Sequence, residues 1–377
     1  MPPVPIAEAL RAASMTDLTR FTFYRGRVAL YAALRVLGIG RGAHVAVQAF
    51  TCVAVPEAVL AVGAKPVFVD IEDTGVNMDA ADLARKLTPQ TKAIVIQHTF
   101  GVPAQIDALE AVAGQASIPM IEDCCHALDA KFMGRRVGSM GTAAFYSFEW
   151  GKPVVAGVGG SLVVNDTALL NGVALEYERF SPPSLPRCMR MEMQYLAHSL
   201  LYRPSWFWPV RRIYRLLAKL GVAEGNYNRI NAEALSSDFF RKMSPRVKRR
   251  LTSKLAARNT GHSLALARKY DGMALPRSIR RVSVPEDCEP VFARYPLLAE
   301  GKQDLLRRAE RERVELAQWY ETPVHPIREP DYGSVGYVKG TCPVAERRCR
   351  QIVTLPVNMR TSDDFVSRVQ RLLGSHG

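Results

Sequence analysis

From about residue 25 to residue 165, short β-branched runs alternate with stretches of helical period, and this rhythm constrains the fold more than any other feature of the chain. Candidate strands cover 44–48, 65–70, 92–97, 118–123, 143–148 and 161–165. Most are apolar on both faces, which suits a sheet covered by helices on each side. The intervening segments, among them VALYAALRVLG, VAVPEAVLAVG and MDAADLARKL, end near glycines or before prolines, as helices do. The expectation is an α/β domain with a mainly parallel central sheet flanked by helices. Ligands of such sheets bind beyond the carboxyl ends of the strands. Asp123 and the loop from Ser147 to Lys152 both lie at such ends.

Residues from about 170 to 250 break the rhythm with prolines, aromatics and arginines, and after about 255 the pattern becomes α+β. We therefore expect a large domain over 1–250, with a basic aromatic insertion at about 177–240, and a smaller α+β domain over 251–377. Long helical stretches are predicted for SKLAARNTGHSLALARKYDGM and GKQDLLRRAERERVELAQWY, and a final helix for SDDFVSRVQRLL. At 48% hydrophobic and 23% charged residues, this composition is that of an ordinary globular chain. Fifty Lys and Arg against 36 Asp and Glu give a formal charge of +14, and the excess is local: 187–281 holds about 21 basic and 5 acidic side chains. No apolar run is long enough to span a bilayer, and the first residues lack a basic region followed by an apolar one. The seven cysteines are scattered without a C-x-x-C pair. These features predict a cytoplasmic protein with no structural metal.

Lys152 sits between the aromatic run FYSFEWG and the small-residue loop PVVAGVGG. A lysine there either reaches solvent or is held as a nucleophile beside other groups. Asp123 ends an apolar strand, where a carboxylate requires a cation or hydrogen-bond donors, although by itself it reads equally as a helix cap. His126 follows three residues later. Gly26 opens a helix whose first amides suit an anion, with Arg27 adding charge. The glycines of GIGRG (38–42) follow a helix and precede a strand, the reverse of a phosphate loop, and read as a turn. An amine, a buried carboxylate and a phosphate cup together match what pyridoxal 5′-phosphate (PLP) requires.

The order and spacing of YRGRVALYAALRVLGIGRGAHVAVQAFTCVAVPEAVLAVGAKPVFVDIE, TKAIVIQHTFGVPAQID, IEDCCHALDAKFMGRRVGS and SFEWGKPVVAGVGGSLVVND resemble the DegT/StrS sugar aminotransferases, a group of fold type I PLP enzymes. The stretch CPVAERRCRQIVTLPVNMRTSDDFVSRVQRLL is similar to that family's closing signature. By this resemblance Lys152 is the lysine that joins the cofactor, Asp123 pairs with its ring nitrogen, His126 lies by the ring and Ser147 bonds the phosphate. Gly26 and Arg27 replace the family's Ser-Gly-Thr phosphate turn, and Cys52 replaces an aromatic that often stacks on the ring. A loop asparagine that the family supplies from a second subunit has a loose counterpart in GNYNRIN (225–231).

The resemblance implies a homodimeric transaminase that takes an amino group, with glutamate as donor, and delivers it to a nucleotide-linked keto sugar of polysaccharide, glycolipid or antibiotic biosynthesis. Two other readings stay open: a PLP-dependent sugar dehydratase, which retention of Lys152 disfavours, and a non-catalytic binding or regulatory protein on the same scaffold. The segment LYRPSWFWPVRRIYRLLAKLG is left over. On a helix from Pro209, Val210, Ile213, Tyr214, Leu217 and Gly221 share one face and Arg211, Arg212, Arg215 and Lys219 another. It suits packing on a dimer partner or peripheral contact of 200–221 with an anionic membrane. The basic run RKMSPRVKRRLTSK reads as a solvated helix face, and with no nucleic-acid-binding signature beside the charge, nucleic acid is not an expected partner.

Overall fold

A computed structural model describes residues 15–219 and 240–375. Seven strands form the central sheet: β1 (Phe21–Phe23), β2 (His44–Gln48), β3 (Lys65–Val69), β4 (Thr91–Gln97), β5 (Met120–Asp123), β6 (Ala143–Ser147) and β7 (Gly160–Val164). Their order is β1-β7-β6-β5-β4-β2-β3. The five from β6 to β3 pair in parallel, while β7 runs antiparallel to both β6 and β1. All but β1 were legible in the sequence. The chain leaves β2 for β3 on one side and returns past it to β4 on the other, so the order reverses between β2 and β4. A crevice opens beyond the strand ends at such a reversal.

Helix α1 (Gly26–Val36) lies against β6 and β7, and α2 (Ala54–Ala61) packs on α1. Nine consecutive residues of α1, Gly26 to Leu34, are buried. The close fit at its start demands a glycine on the neighbouring strand. A Cβ on Gly160 would lie 2.3 Å from the Arg25 carbonyl oxygen and 2.5 Å from the Gly26 nitrogen, both backbone atoms that cannot turn aside. Gly160→Ala is therefore expected to cost about 3 kcal/mol or more, seen as a lowered midpoint in urea unfolding. Gly38 and Gly42, at φ of 71° and 84°, form the turn expected from GIGRG.

The predicted break in the middle contains helices α3 (Leu185–Leu201) and α4 (Phe207–Lys219), followed by α5 (Pro245–Ala256). The loop 225–231 and Gly221 lie outside the described residues. Ser244 caps α5 by accepting the Val247 N–H at 3.3 Å. Val247 and Leu251 bury themselves with large-domain side chains such as Tyr24 and Phe148, so the division expected at 250/251 falls inside a helix. We propose the 257–260 link as the division. The long helix expected at 253–273 is interrupted there and resumes at Gly261–Asp271.

The smaller unit is built on an antiparallel sheet of β8 (Ile279–Arg281), β9 (Arg294–Ala299) and β10 (Ile352–Pro356), ordered β8-β9-β10. The helix expected over 301–320 stops at Arg311. Arg313 takes a φ of 54°, and Val314 and Leu316 are buried by extended backbone that bridges Ala317 to Thr354. The last helix, Asp363–Gly374, stands where predicted, with Ser362 as its cap. One apolar cluster runs through both sheets, joining Val47, Val95 and Ile121 to Leu297, Val353 and Leu355. The two units therefore bury a shared core. A buried ion pair of the smaller unit, in which Arg294 donates to Glu315 at 2.8 Å, is tied to the larger unit by the Tyr202 hydroxyl, which donates to the same carboxylate at 2.6 Å.

Candidate active site

Beyond the carboxyl ends of β4, β5 and β6 lies a cavity lined by Gly26, Asp123, His126, Ser147, Lys152 and Trp319, among others. It gathers every site residue singled out from the sequence, Arg27 and Cys52 included. Asp123, the last residue of β5, is buried and accepts the Cys125 N–H at 3.0 Å. Burial pushes its carboxyl pKa up, opposed by that hydrogen bonding and by the charges of Lys152 and His98.

His126 stands at the centre. Its ring lies nearly parallel to those of Phe100 and Trp319, with centroids 5.9 and 6.0 Å away. Nδ1 accepts the Phe100 N–H at 3.3 Å, and Nε2 is 2.9 Å from Lys152 Nζ. Burial, then the nearby Lys152 and Arg294 charges, hold its pKa well below the usual imidazole range. The ring is thus neutral at pH 7, with Nε2 within hydrogen-bond distance of Nζ.

The loop that carries Lys152 is tied at both ends. Arg25, itself buried, pairs with Glu149 at 3.2 Å, and Arg250 of α5 donates to the Ala156 carbonyl at 2.8 Å. Gly151 takes a φ of 76°, and a Cβ there would lie 2.6 Å from the Trp319 ring, so the loop passes flush against that indole. Arg250, expected on a solvated helix face, instead pairs with Glu192 of α3 and supports this loop.

Helix α1 starts directly over the end of β6. A Cβ on Gly26 would lie 3.0 Å from Ser147 Cβ, which brings the first turn of the helix and the serine hydroxyl to one wall of the cavity. Arg27 lines that wall, but its guanidinium pairs with Glu57 of α2. Cys52 sits on the two-residue strand Thr51–Cys52, which runs parallel to Val324–His325. The aromatic walls come from elsewhere: Trp150, Trp319 and Tyr320 line the cavity, and sequence reasoning had marked none of them. Arg25 was also missed.

His98, which lines the cavity, lies close to Glu122 and Cys124 behind it, and all three are buried. Glu122 accepts N–H groups from Gly138, Met140 and Gly141 at 2.6 to 2.7 Å and faces His98 Nε2 at 3.2 Å. Its oxygens are fully engaged by donors, so this is a hydrogen-bonded brace.

The model of the DegT/DnrJ/EryC1/StrS aminotransferase family matches residues 19–181, the span that supplies Gly26, Asp123, His126, Ser147 and Lys152. Over those residues the chain is similar to that family. The fold is that of the type I PLP enzymes, and the similarity supports a PLP-dependent transaminase. A pleiotropic regulatory protein of Geobacillus stearothermophilus is 28% identical over 88% of this chain and 78% of its own length. A UDP-N-acetyl-3-dehydro-α-D-glucosamine 3-aminotransferase of Acidithiobacillus ferrooxidans is 43% identical over 38% of this chain and 39% of its own. Among solved structures, S. venezuelae DesV in complex with a ketimine intermediate is 26% identical, with a TM-score of 0.66 over 93% of this chain and 82% of that one.

The cavity suits the family's cofactor on its own chemistry. It offers an amine beside a neutral imidazole, a buried carboxylate that gains from a cationic N–H, and a hydroxyl against a helix start.

Proposed function

We propose that this chain transfers an amino group from glutamate to the keto carbon of a sugar carried on a nucleoside diphosphate. The observation that carries the reading is the meeting of Lys152, Asp123, His126, Ser147 and Gly26 in one cavity where the sheet order reverses. The similarity to an aminotransferase named for a UDP-linked keto sugar supports the substrate class. A homodimer is part of the proposal, by resemblance to a family whose sites draw on two chains.

PLP, when bound, supplies an electron-withdrawing ring that takes up the electron pair of a broken C–H bond. The protein's own side chains do the rest. Lys152 would hold the cofactor through Nζ and, when free, would carry the proton at Nζ as base and then acid. Asp123 would hold the cofactor's ring nitrogen, whose cationic N–H would suit a buried carboxylate. Ser147 and the first turn of α1 hold the phosphate. His126 orients Nζ from 2.9 Å, and Trp319 and Tyr320 shield the proton transfer from water.

Two half-reactions through one site imply ping-pong kinetics. The loaded protein mixed with glutamate alone is expected to release one equivalent of 2-oxoglutarate per site and then stop, until a UDP-linked keto sugar restarts it. Release with no other donor but glutamine would replace the donor and keep the reaction. A protein that binds the cofactor through Lys152 yet yields no oxo acid from any amino donor would overturn amino transfer and leave the regulatory reading.

A further inference from the structure

Helix α3 presents two unlike faces. Its inner face is pinned to the body: Met191 is buried, Glu192 pairs with Arg246 and Arg250, and Tyr195 lies under the Arg250 guanidinium at 3.7 Å. His198 packs on Trp150 at 4.4 Å between centroids, and Arg360 donates to the Ser199 carbonyl at 2.6 Å. The outer face is bare and apolar. Leu185, Met189, Met193, Leu196 and Leu200, spaced by four, four, three and four residues, are 79%, 66%, 63%, 54% and 74% exposed. Trp206, Ile213 and Leu216 continue the exposed surface toward α4, while Trp208 turns inward and donates to the Val314 carbonyl at 2.8 Å. An unbroken stripe of this kind is not left to water by chance.

The charges around it choose the occupant. Residues 185–219 carry seven Lys and Arg against a single acid, and that acid, Glu192, is turned inward on its arginines. Arg190 and Arg203 are exposed beside the stripe, and Arg246 and Arg249 of α5 are exposed as well. Two copies of this face set against each other would bring arginines onto arginines, a costly pairing. An anionic bilayer accepts both the apolar stripe and the guanidinium rim. No helix among the described residues is long and apolar enough to cross a membrane, which fits a helix lying along the surface.

We propose that α3, continued by Trp206 and the start of α4, is a docking surface for anionic lipid bilayers. Of the two readings the sequence left for 200–221, packing on a dimer partner or membrane contact, this one takes the second and moves its centre to the helix before it, whose apolar stripe faces outward. Because the inner side of α3 holds Trp150, a residue of the cavity wall, docking sets the catalytic cavity about one helix diameter, some 10 Å, from the lipid surface.

The test is co-sedimentation of the full-length protein with phosphatidylcholine vesicles containing or lacking phosphatidylglycerol, alongside sedimentation velocity without lipid. We expect binding to the anionic vesicles that weakens with salt, and much less to pure phosphatidylcholine. Met193→Asp with Leu200→Asp, at exposed positions, is expected to lower the partition coefficient more than about tenfold without changing oligomeric state. Arg190→Gln with Arg203→Gln is expected to lower it on anionic vesicles alone. Failure of the unmodified protein to bind anionic vesicles overturns the proposal. So does dissociation of a native dimer by the aspartate pair, which would assign the stripe to a second copy. Covalent capture of PLP by Lys152 is measured separately, so either result leaves the enzymatic reading to its own test.

Discussion

Lys152→Ala is expected to abolish both covalent capture of PLP and amino transfer while leaving the fold intact. The contacts that hold the 149–157 loop are Arg25 to Glu149 and Arg250 to the Ala156 carbonyl, and neither uses the lysine side chain. What the substitution removes is the one amine that the described residues place in the cavity wall. Loss of a nucleophile that also carries the proton should lower kcat by about 10⁴-fold or more. Borohydride reduction followed by peptide mass analysis reads the attachment directly: reduced cofactor should appear on the peptide containing Lys152 and be absent from the variant. Lys152→Arg keeps a cation near His126 and cannot form the bond, so it should fail equally. Attachment at another lysine, or turnover surviving in the alanine variant, would remove Lys152 from the centre of the reaction.

The parts of this site that were legible in the sequence sit at strand ends. Asp123, Ser147 and Lys152 follow runs whose apolar character fixes where each strand stops, and the side chain just past that stop must face the crevice. Trp319 and Tyr320 were not legible, because they reach the cavity only through packing of the smaller sheet against the larger. Their local pattern, VELAQWY, looks like the end of a helix; its apolar residues are in fact buried by non-helical backbone that bridges Ala317 to Thr354. Two arginines flank Gly26, and sequence alone does not say which one faces the lysine loop. The backbone decides: Arg25 precedes the helix in extended conformation and reaches Glu149, whereas Arg27, two residues on, turns to Glu57. Helix α3 was missed for a different reason. Apart from Met191, its Leu and Met residues face outward, so they match no pattern of core burial.

Glu122→Ala should be the most damaging single change to stability. Strand alternation puts neighbouring carboxylates on opposite faces of β5: Asp123 lines the cavity, while Glu122 reaches back to the 138–141 turn and to His98. Removing the acid leaves three buried N–H groups and His98 Nε2 without their acceptor, at a cost of about 3–5 kcal/mol. Glu122→Gln restores the shape but replaces an acceptor oxygen with a second set of donors facing N–H groups, so it should recover only part of the loss. Burial works against ionisation of Glu122, yet hydrogen bonds from His98, Gly141 and Gly138 outweigh it and hold its pKa below the ordinary carboxylate range. A depressed pKa means that this contribution is present above the unfolded-state value and is lost as pH falls through the folded one. The stability gap between native protein and Glu122→Ala should therefore be widest near neutral pH and narrow in acid, below the ordinary glutamate range. Urea unfolding of both proteins at neutral and acidic pH measures that gap, and a gap independent of pH would show that Glu122 acts by filling space rather than by its charge.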